Sequence, residues 1–197
     1  MKYAALFCRR DSAYKKREAW DVYDADRDAL TFEGGMPVVC HPPCRAWGVM
    51  SHMAFRKKDW SGQDTEALEA EKELARWAVR EVVQNGGILE HPAGSKLFKE
   101  IPLLAEHPEY ILEIDQYDFG HVAHKPTKLF IYGVHKFQFP PLPQKRTEPT
   151  DRSIAGNVPG TKRCTQYQRE YTPEALIDWF EAVLDRIPNK GESPSGS

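Results

Sequence analysis

Val38-Val39-Cys40-His41-Pro42-Pro43-Cys44-Arg45-Ala46-Trp47-Gly48 decides how the rest of the chain is read. The β-branched pair opens a strand. The two prolines then fix φ and remove two backbone donors, so the strand has to end in a stiff loop. A loop of that kind presents Cys44 outward instead of burying it. In an open α/β sheet the carboxyl ends of the strands are where ligands bind, which makes Cys44 a candidate nucleophile.

Upstream, Tyr3–Cys8 is a compact apolar run that stops at charge and reads as a first buried strand. A polar stretch, Arg9 to Ala19, leads to a second strand at Trp20–Tyr23. That strand ends in the acidic cluster Asp24, Asp26 and Asp28, and the Gly34-Gly35 turn with Pro37 returns the chain to the strand at 38–40. Downstream, 47–62 reads as loop. The strongest helix runs from about Asp64 to Gln84, with Leu68, Leu74, Ala75, Ala78, Val79 and Val82 near helical period and Asn85-Gly86-Gly87 as its stop. Ile88-Leu89-Glu90 is a short strand closed by His91-Pro92. Short helical pieces follow at Ser95–Leu97 and Leu103–Ala105, then strands at Ile111–Tyr117 and Lys128–Tyr132. The Pro-, Arg- and Thr-rich segment 138–170 reads as extended loop, and Thr172-Pro173-Glu174 starts a last helix with a capping threonine. Strands alternating with helices predict one α/β domain over 1–188 with a mostly parallel sheet, followed by a flexible tail over 189–197.

Composition narrows the function classes. A formal net charge of −2 provides no global basic field for coating nucleic acid, although a local basic groove is compatible with it. Cys8, Cys40, Cys44 and Cys164 lack the density and spacing of a disulfide framework. The apolar opening is too short for a signal peptide, and no run approaches the ~20 apolar residues that span a bilayer. These features predict a soluble, cytoplasmic protein with reduced thiols. Cys40 and Cys44 with His41, His52 or His91 contain zinc-type ligands, but three residues between the cysteines is a poor spacing and no metal is expected. For the acidic cluster 24–28, a solvated strand end is the simpler reading than a magnesium site. Trp47 and Trp60 with His52 could stack on a base or pack onto the core.

Three strand ends belong together: Pro42-Pro43-Cys44; Leu89-Glu90-His91-Pro92; and Phe119-Gly120 followed by Lys125-Pro126-Thr127-Lys128-Leu129-Phe130-Ile131-Tyr132-Gly133. In this order they resemble the cytosine-C5 DNA methyltransferase family, whose members carry a Pro-Cys loop, a Glu-Asn strand end one helix later, and a Tyr-Gly segment before a basic pair and a Phe-Ile-x-Gly strand. The resemblance covers roughly residues 36–133, about half the chain. It implies a methyltransferase-like, Rossmann-type sheet shortened in its N-terminal half. It also implies S-adenosylmethionine as methyl donor and DNA or a pyrimidine nucleotide as substrate. Cys44 would be the thiolate that adds to C6 of the base, Glu90 would bond the N3 edge, and Lys125 would orient them. Phe7, Asp24, Asp26 and Pro42 would face the cofactor. Pro43, Arg45, Trp47, His91, Thr127 and Lys128 would face the base or nucleic acid. With this assignment Arg45, next in sequence, would lower the pKa of Cys44, and Glu90 could serve as a hydrogen-bonding acid if burial raises its pKa.

The departures are equally specific. Phe7-Cys8 runs into Arg9-Arg10-Asp11-Ser12 with no glycine, where the family places a Gly-rich turn. One family strand is missing, since about ten residues separate the acidic cluster from the strand at 38–40. His91 replaces Asn, and Thr127 stands where a second arginine is usual. The target-recognition insert is absent, leaving about 38 residues (134–171), whose lysines and arginines could supply sequence-blind phosphate contacts. Compact chains of this pattern look like those carried by phages and prophages, which would fit genome modification in a host cytoplasm. Two other classes stay open. One is a catalytically degenerate member that binds nucleic acid or a host protein. The other is a Cys-dependent nucleotide-modifying enzyme with another donor.

Overall fold

The computed structural model describes residues 1–57, 62–154 and 158–188. Its centre is a six-stranded mixed sheet built from β1 (Tyr3–Leu6), β2 (Trp20–Val22), β3 (Val38–Cys40), β4 (Gly87–Pro92), β5 (Ile111–Asp115) and β6 (Pro126–Tyr132), in the spatial order β2-β1-β3-β4-β6-β5. The β2-β1-β3-β4 pairings are parallel, and β6 runs antiparallel to both β4 and β5. The arrangement is compatible with a Rossmann-like α/β fold. Trp60 and the tail expected over 189–197 lie outside the described residues.

Side-chain alternation along the strands sends one set of residues to each face. Ala4, Leu6, Val38, Cys40, Leu89 and Phe130 pack with Ala75, Ala78, Val79 and Val82 of α2 (Thr65–Asn85). α3 (Leu97–Glu100) adds Leu97 and Phe98 to that layer, and α4 (Pro102–Glu106) adds Leu104. Ala5, Val39, Ile88, Leu129 and Ile131 face the other way, against Leu176, Ile177, Phe180, Val183 and Leu184 of the C-terminal helix. Both layers are apolar where they touch, which is why these two helices hold to the sheet.

The ends of α2 follow from its sequence. Asp64 accepts from the Ala67 amide at 3.0 Å as N-cap, and Gly86, at φ 74°, lets the chain leave the helix and enter β4 at once. The C-terminal helix differs from expectation. It spans Glu174–Leu184 with Pro173 at the cap position and no side-chain cap, so Thr172 does not cap it. Further elements occupy stretches read as loop: the helix α1 (Ser51–Ala54) and, within 138–170, a small parallel pair, β7 (Arg152–Ser153) with β8 (Lys162–Arg163). α5 (Gln166–Glu170) follows, closed by a capping box between Thr165 and Gln168; the C-terminal helix is therefore α6. The Ile111–Tyr117 strand stops at Asp115, where its side chain accepts from the Tyr117 amide and starts a 3-10 turn over Gln116–Phe119. Among the described residues, no helix is long and apolar enough to cross a membrane.

β1 connects outward to β2 on one side, while β3 lies on the other, so the strand order reverses between β1 and β3. The loops leaving those two strands diverge there and open a crevice beyond their carboxyl ends. Gly87 sets how closely the neighbouring strands can meet. At φ 146° a Cβ placed on it would lie 2.0 Å from the Val38 carbonyl oxygen. Gly87→Ala is expected to lower the unfolding free energy by about 3 kcal/mol or more. Urea denaturation followed by circular dichroism checks this, and a loss below about 1 kcal/mol would mean that β3 and β4 tolerate separation.

Candidate active site

The crevice is a cavity of about 680 Å³, within the range of small-molecule sites. Phe7, Asp24, Pro42, Pro43, Cys44, Arg45, Glu90 and Lys125 all line it, together with His41 and Tyr14. Its far wall is the C-terminal segment from Tyr167 to Thr172.

Glu90 is the electrostatic centre. Its Oε1 accepts from Gln116 Nε2 at 2.9 Å, and its Oε2 lies 2.9 Å from His41 Nδ1. A carboxylate can only accept, so Nδ1 carries the hydrogen and donates. In the neutral ring Nε2 then accepts from the Tyr14 hydroxyl, 3.1 Å away. Gln116 is itself oriented by a second bond, from Nε2 to Thr127 Oγ1 at 3.1 Å, and Thr127 donates to the Lys125 carbonyl at 2.9 Å. Burial alone would raise the Glu90 pKa, but Lys125 and the His41 bond outweigh it and hold the group down at about 2. Glu90 is therefore an anion, and the condition under which it would serve as an acid, a pKa raised by burial, is not met.

The electrostatic expectation for Cys44 is corrected. Cys44 is exposed to the cavity, yet the protein atoms around it withdraw enough water to push its thiol up. Glu90 and Glu71 add to that rise, and Lys125 opposes it. Arg45 does not take part, because it is committed elsewhere: its guanidinium pairs with the buried Glu71 at 2.6 Å, whose other oxygen accepts from the Ala46 amide.

The remaining predicted residues divide by strand parity. Thr127 shares the Glu90 face but is fully buried and acts by holding Gln116. His91 points to the opposite face, toward the ring of Phe98, and is 1 % exposed. Opposite it in the ladder, Lys128 lies over Phe98 at 5.7 Å. Trp47 is buried in the α2 layer with Lys72 and Arg76 above its ring, which leaves it no face for a base. Asp26 reaches solvent and pairs with Arg10 at 2.9 Å. Asp24 does line the cavity, but its Oδ1 accepts from the Asp26 and Arg27 amides and its Oδ2 pairs with Lys15. Phe7 takes φ 61°, the left-handed conformation that a glycine would supply at the end of β1. Its ring packs edge-on to Trp77. Among the described residues, no group of three or more His, Cys, Asp or Glu could hold a metal ion.

His41, Gln116 and Tyr14 were missing from the sequence-derived site. For His41 the signal was parity: residues 39 and 41 lie on the same face as 88 and 90. No protein-family model matches the chain, and no curated protein matches it significantly.

Two buried groups predict the acid limb of the stability curve. Burial drives His91 down from 6.5 to about 4, so the unfolded chain binds that proton first and stability falls between those pH values. Glu90, lowered from 4.5 to about 2, contributes stability above pH 4.5 that is lost as the pH falls toward 2. Urea unfolding across pH should show each window worth about 3 kcal/mol. His91→Leu should remove the upper one and Glu90→Gln the lower. Unchanged slopes in both variants would contradict these assignments.

Proposed function

We propose that the chain is a pyrimidine-C5-modifying enzyme of methyltransferase type, acting on a pyrimidine in DNA or in a nucleotide. The observation that carries the reading is the convergence of Cys44, Glu90 and Lys125, from three separate strand ends, on one cavity at the reversal of strand order. The chemistry requires a sulfur on one side of the ring and a fixed hydrogen-bonding group at its edge. Adding the Cys44 thiolate to C6 breaks the C5–C6 π bond and places its electron pair on C5, which can attack an electrophile; loss of the C5 proton would then re-form the double bond and expel the Cys44 thiolate. Glu90, held by Gln116 and His41, is preorganised to accept N–H groups from the base edge. Lys125 balances the Glu90 charge and donates from Nζ to the Tyr171 carbonyl at 3.4 Å, which ties the site to its far wall.

The cavity fits a nucleoside-type donor such as S-adenosylmethionine on two observations. Its volume is in the right range, and the left-handed turn at Phe7 opens β1 toward the cavity without a glycine. Phe7, Pro42 and the backbone around Asp24 would hold such a donor, which supplies an electrophilic methyl group when bound. Asp24 contributes less than the resemblance implied, since its oxygens are already used within the protein. All four cysteines are free thiols, in keeping with a cytoplasmic setting.

A second reading, with the fold kept and the chemistry lost, is favoured by one observation: Cys44 is pushed toward the unreactive thiol. Incubation with 5-fluoropyrimidine nucleotides or oligonucleotides and S-adenosylmethionine, followed by intact-protein mass spectrometry, separates the two. The enzyme reading expects a covalent adduct on Cys44 that disappears in Cys44→Ser and falls at least about 100-fold in rate in Glu90→Gln. Absence of an adduct with every nucleotide and oligonucleotide overturns the enzyme reading and leaves the binding one.

A further inference from the structure

The charges lining the cavity are not equally committed. Arg45 is neutralised by Glu71, and Arg9 by Asp11 and Glu170. Arg169 also lines the cavity, but among the described residues it has no carboxylate partner, and its Nε is buried with no acceptor. A guanidinium without a counter-charge and with a buried, unsatisfied donor is costly, and an anionic ligand would supply both. Lys16 is a second cation of the lining with no ion pair among the described residues.

The segment that carries Arg169 forms a roof. Arg9 Nη1 holds Glu170 at 2.5 Å and its guanidinium lies 5.1 Å from the Tyr167 ring centroid. On the other side, His121 Nε2 is 2.6 Å from the Gln168 carbonyl oxygen, and Lys125 reaches the Tyr171 carbonyl. These contacts pin α5 beside the cavity, whose volume of about 680 Å³ is that of a small-molecule site. Outside the roof, two of the cations are already engaged. Arg146 is stacked on Tyr117 at 4.1 Å and donates to its carbonyl, and Arg152 lies beside Asp151. Binding to DNA needs several phosphate contacts along a backbone, each of which adds to affinity.

We infer that this cavity is a mononucleotide site in which Arg169, assisted by Lys16, holds the phosphate, so that the substrate is a free pyrimidine nucleoside monophosphate. The inference rests on the pyrimidine reading above for the base, whereas the phosphate subsite stands on Arg169 alone. Arg169 binds and positions the ligand; it is not placed at the reacting atoms.

Calorimetric titration of the full chain with pyrimidine nucleoside monophosphates, the matching nucleosides and a short single-stranded pyrimidine oligonucleotide tests it. A monophosphate should bind about tenfold to a hundredfold more tightly than its nucleoside. Arg169→Ala should erase that preference while leaving nucleoside affinity unchanged. Arg169→Lys should restore part of it, which guards against a variant that merely unfolds. Cys44→Ser should keep the full preference, because the subsite does not use the thiol. Equal affinity for nucleoside and monophosphate, an oligonucleotide bound as tightly as the monophosphate, or no monophosphate binding at millimolar concentration would each overturn the proposal. A failed fluoropyrimidine trap with the phosphate preference intact would remove the C5 chemistry only, so the two proposals fail separately.

Discussion

A charge removed from water must be compensated by the protein, and the surroundings of Glu90 are organised around that demand. Two N–H donors take its two oxygens, Lys125 supplies the counter-charge, and each donor has its own support: Tyr14 behind His41, Thr127 behind Gln116. These groups come from the ends of β3, β4 and β6 and from the turns after β1 and β5. The cavity therefore exists in its present shape only when the sheet has assembled in the observed order. A pairing network of this kind fixes geometry more than it adds stability, since a buried ion pair offsets a large desolvation cost.

Burial first, and the same charge second, push Cys44 toward the thiol. Glu90 and Glu71 disfavour a thiolate beside them, and Arg45, the obvious activator by sequence, spends its charge on Glu71. A ligand that donates N–H groups to Glu90 would dilute its negative field at the sulfur. Reactivity would then be coupled to binding, which protects an exposed thiol from indiscriminate attack.

Much of the scaffold was legible in the sequence. Helix α2 carried its period and its Gly stop, and the strands at 3–6, 38–40 and 87–92 carried apolar runs with clear ends. The antiparallel insertion of β6 between β4 and β5 was not legible, because strand order is decided by tertiary packing and leaves no local pattern. Helix α5 was readable in principle, since Thr165-x-x-Gln168 is a capping-box signature. Of the site, Cys44, Glu90 and Lys125 could be grouped by motif. The misassigned Trp47, His91 and Lys128 failed on direction: motif spacing says that residues are near a strand end but not which face they take. Gln116 is a single polar residue without a motif, and although strand parity puts His41 on the Glu90 face, only the folded sheet brings both to one carboxylate.

Glu90 and Cys44 share one cavity and act on each other through it. The rate of iodoacetamide modification of the Cys44 peptide, followed by mass spectrometry across pH, reads the thiol directly. The midpoint should lie above the ordinary cysteine value in the native protein and shift clearly downward in Glu90→Gln. An identical midpoint in the two proteins would mean that the two groups do not sense one another, and would contradict this coupling.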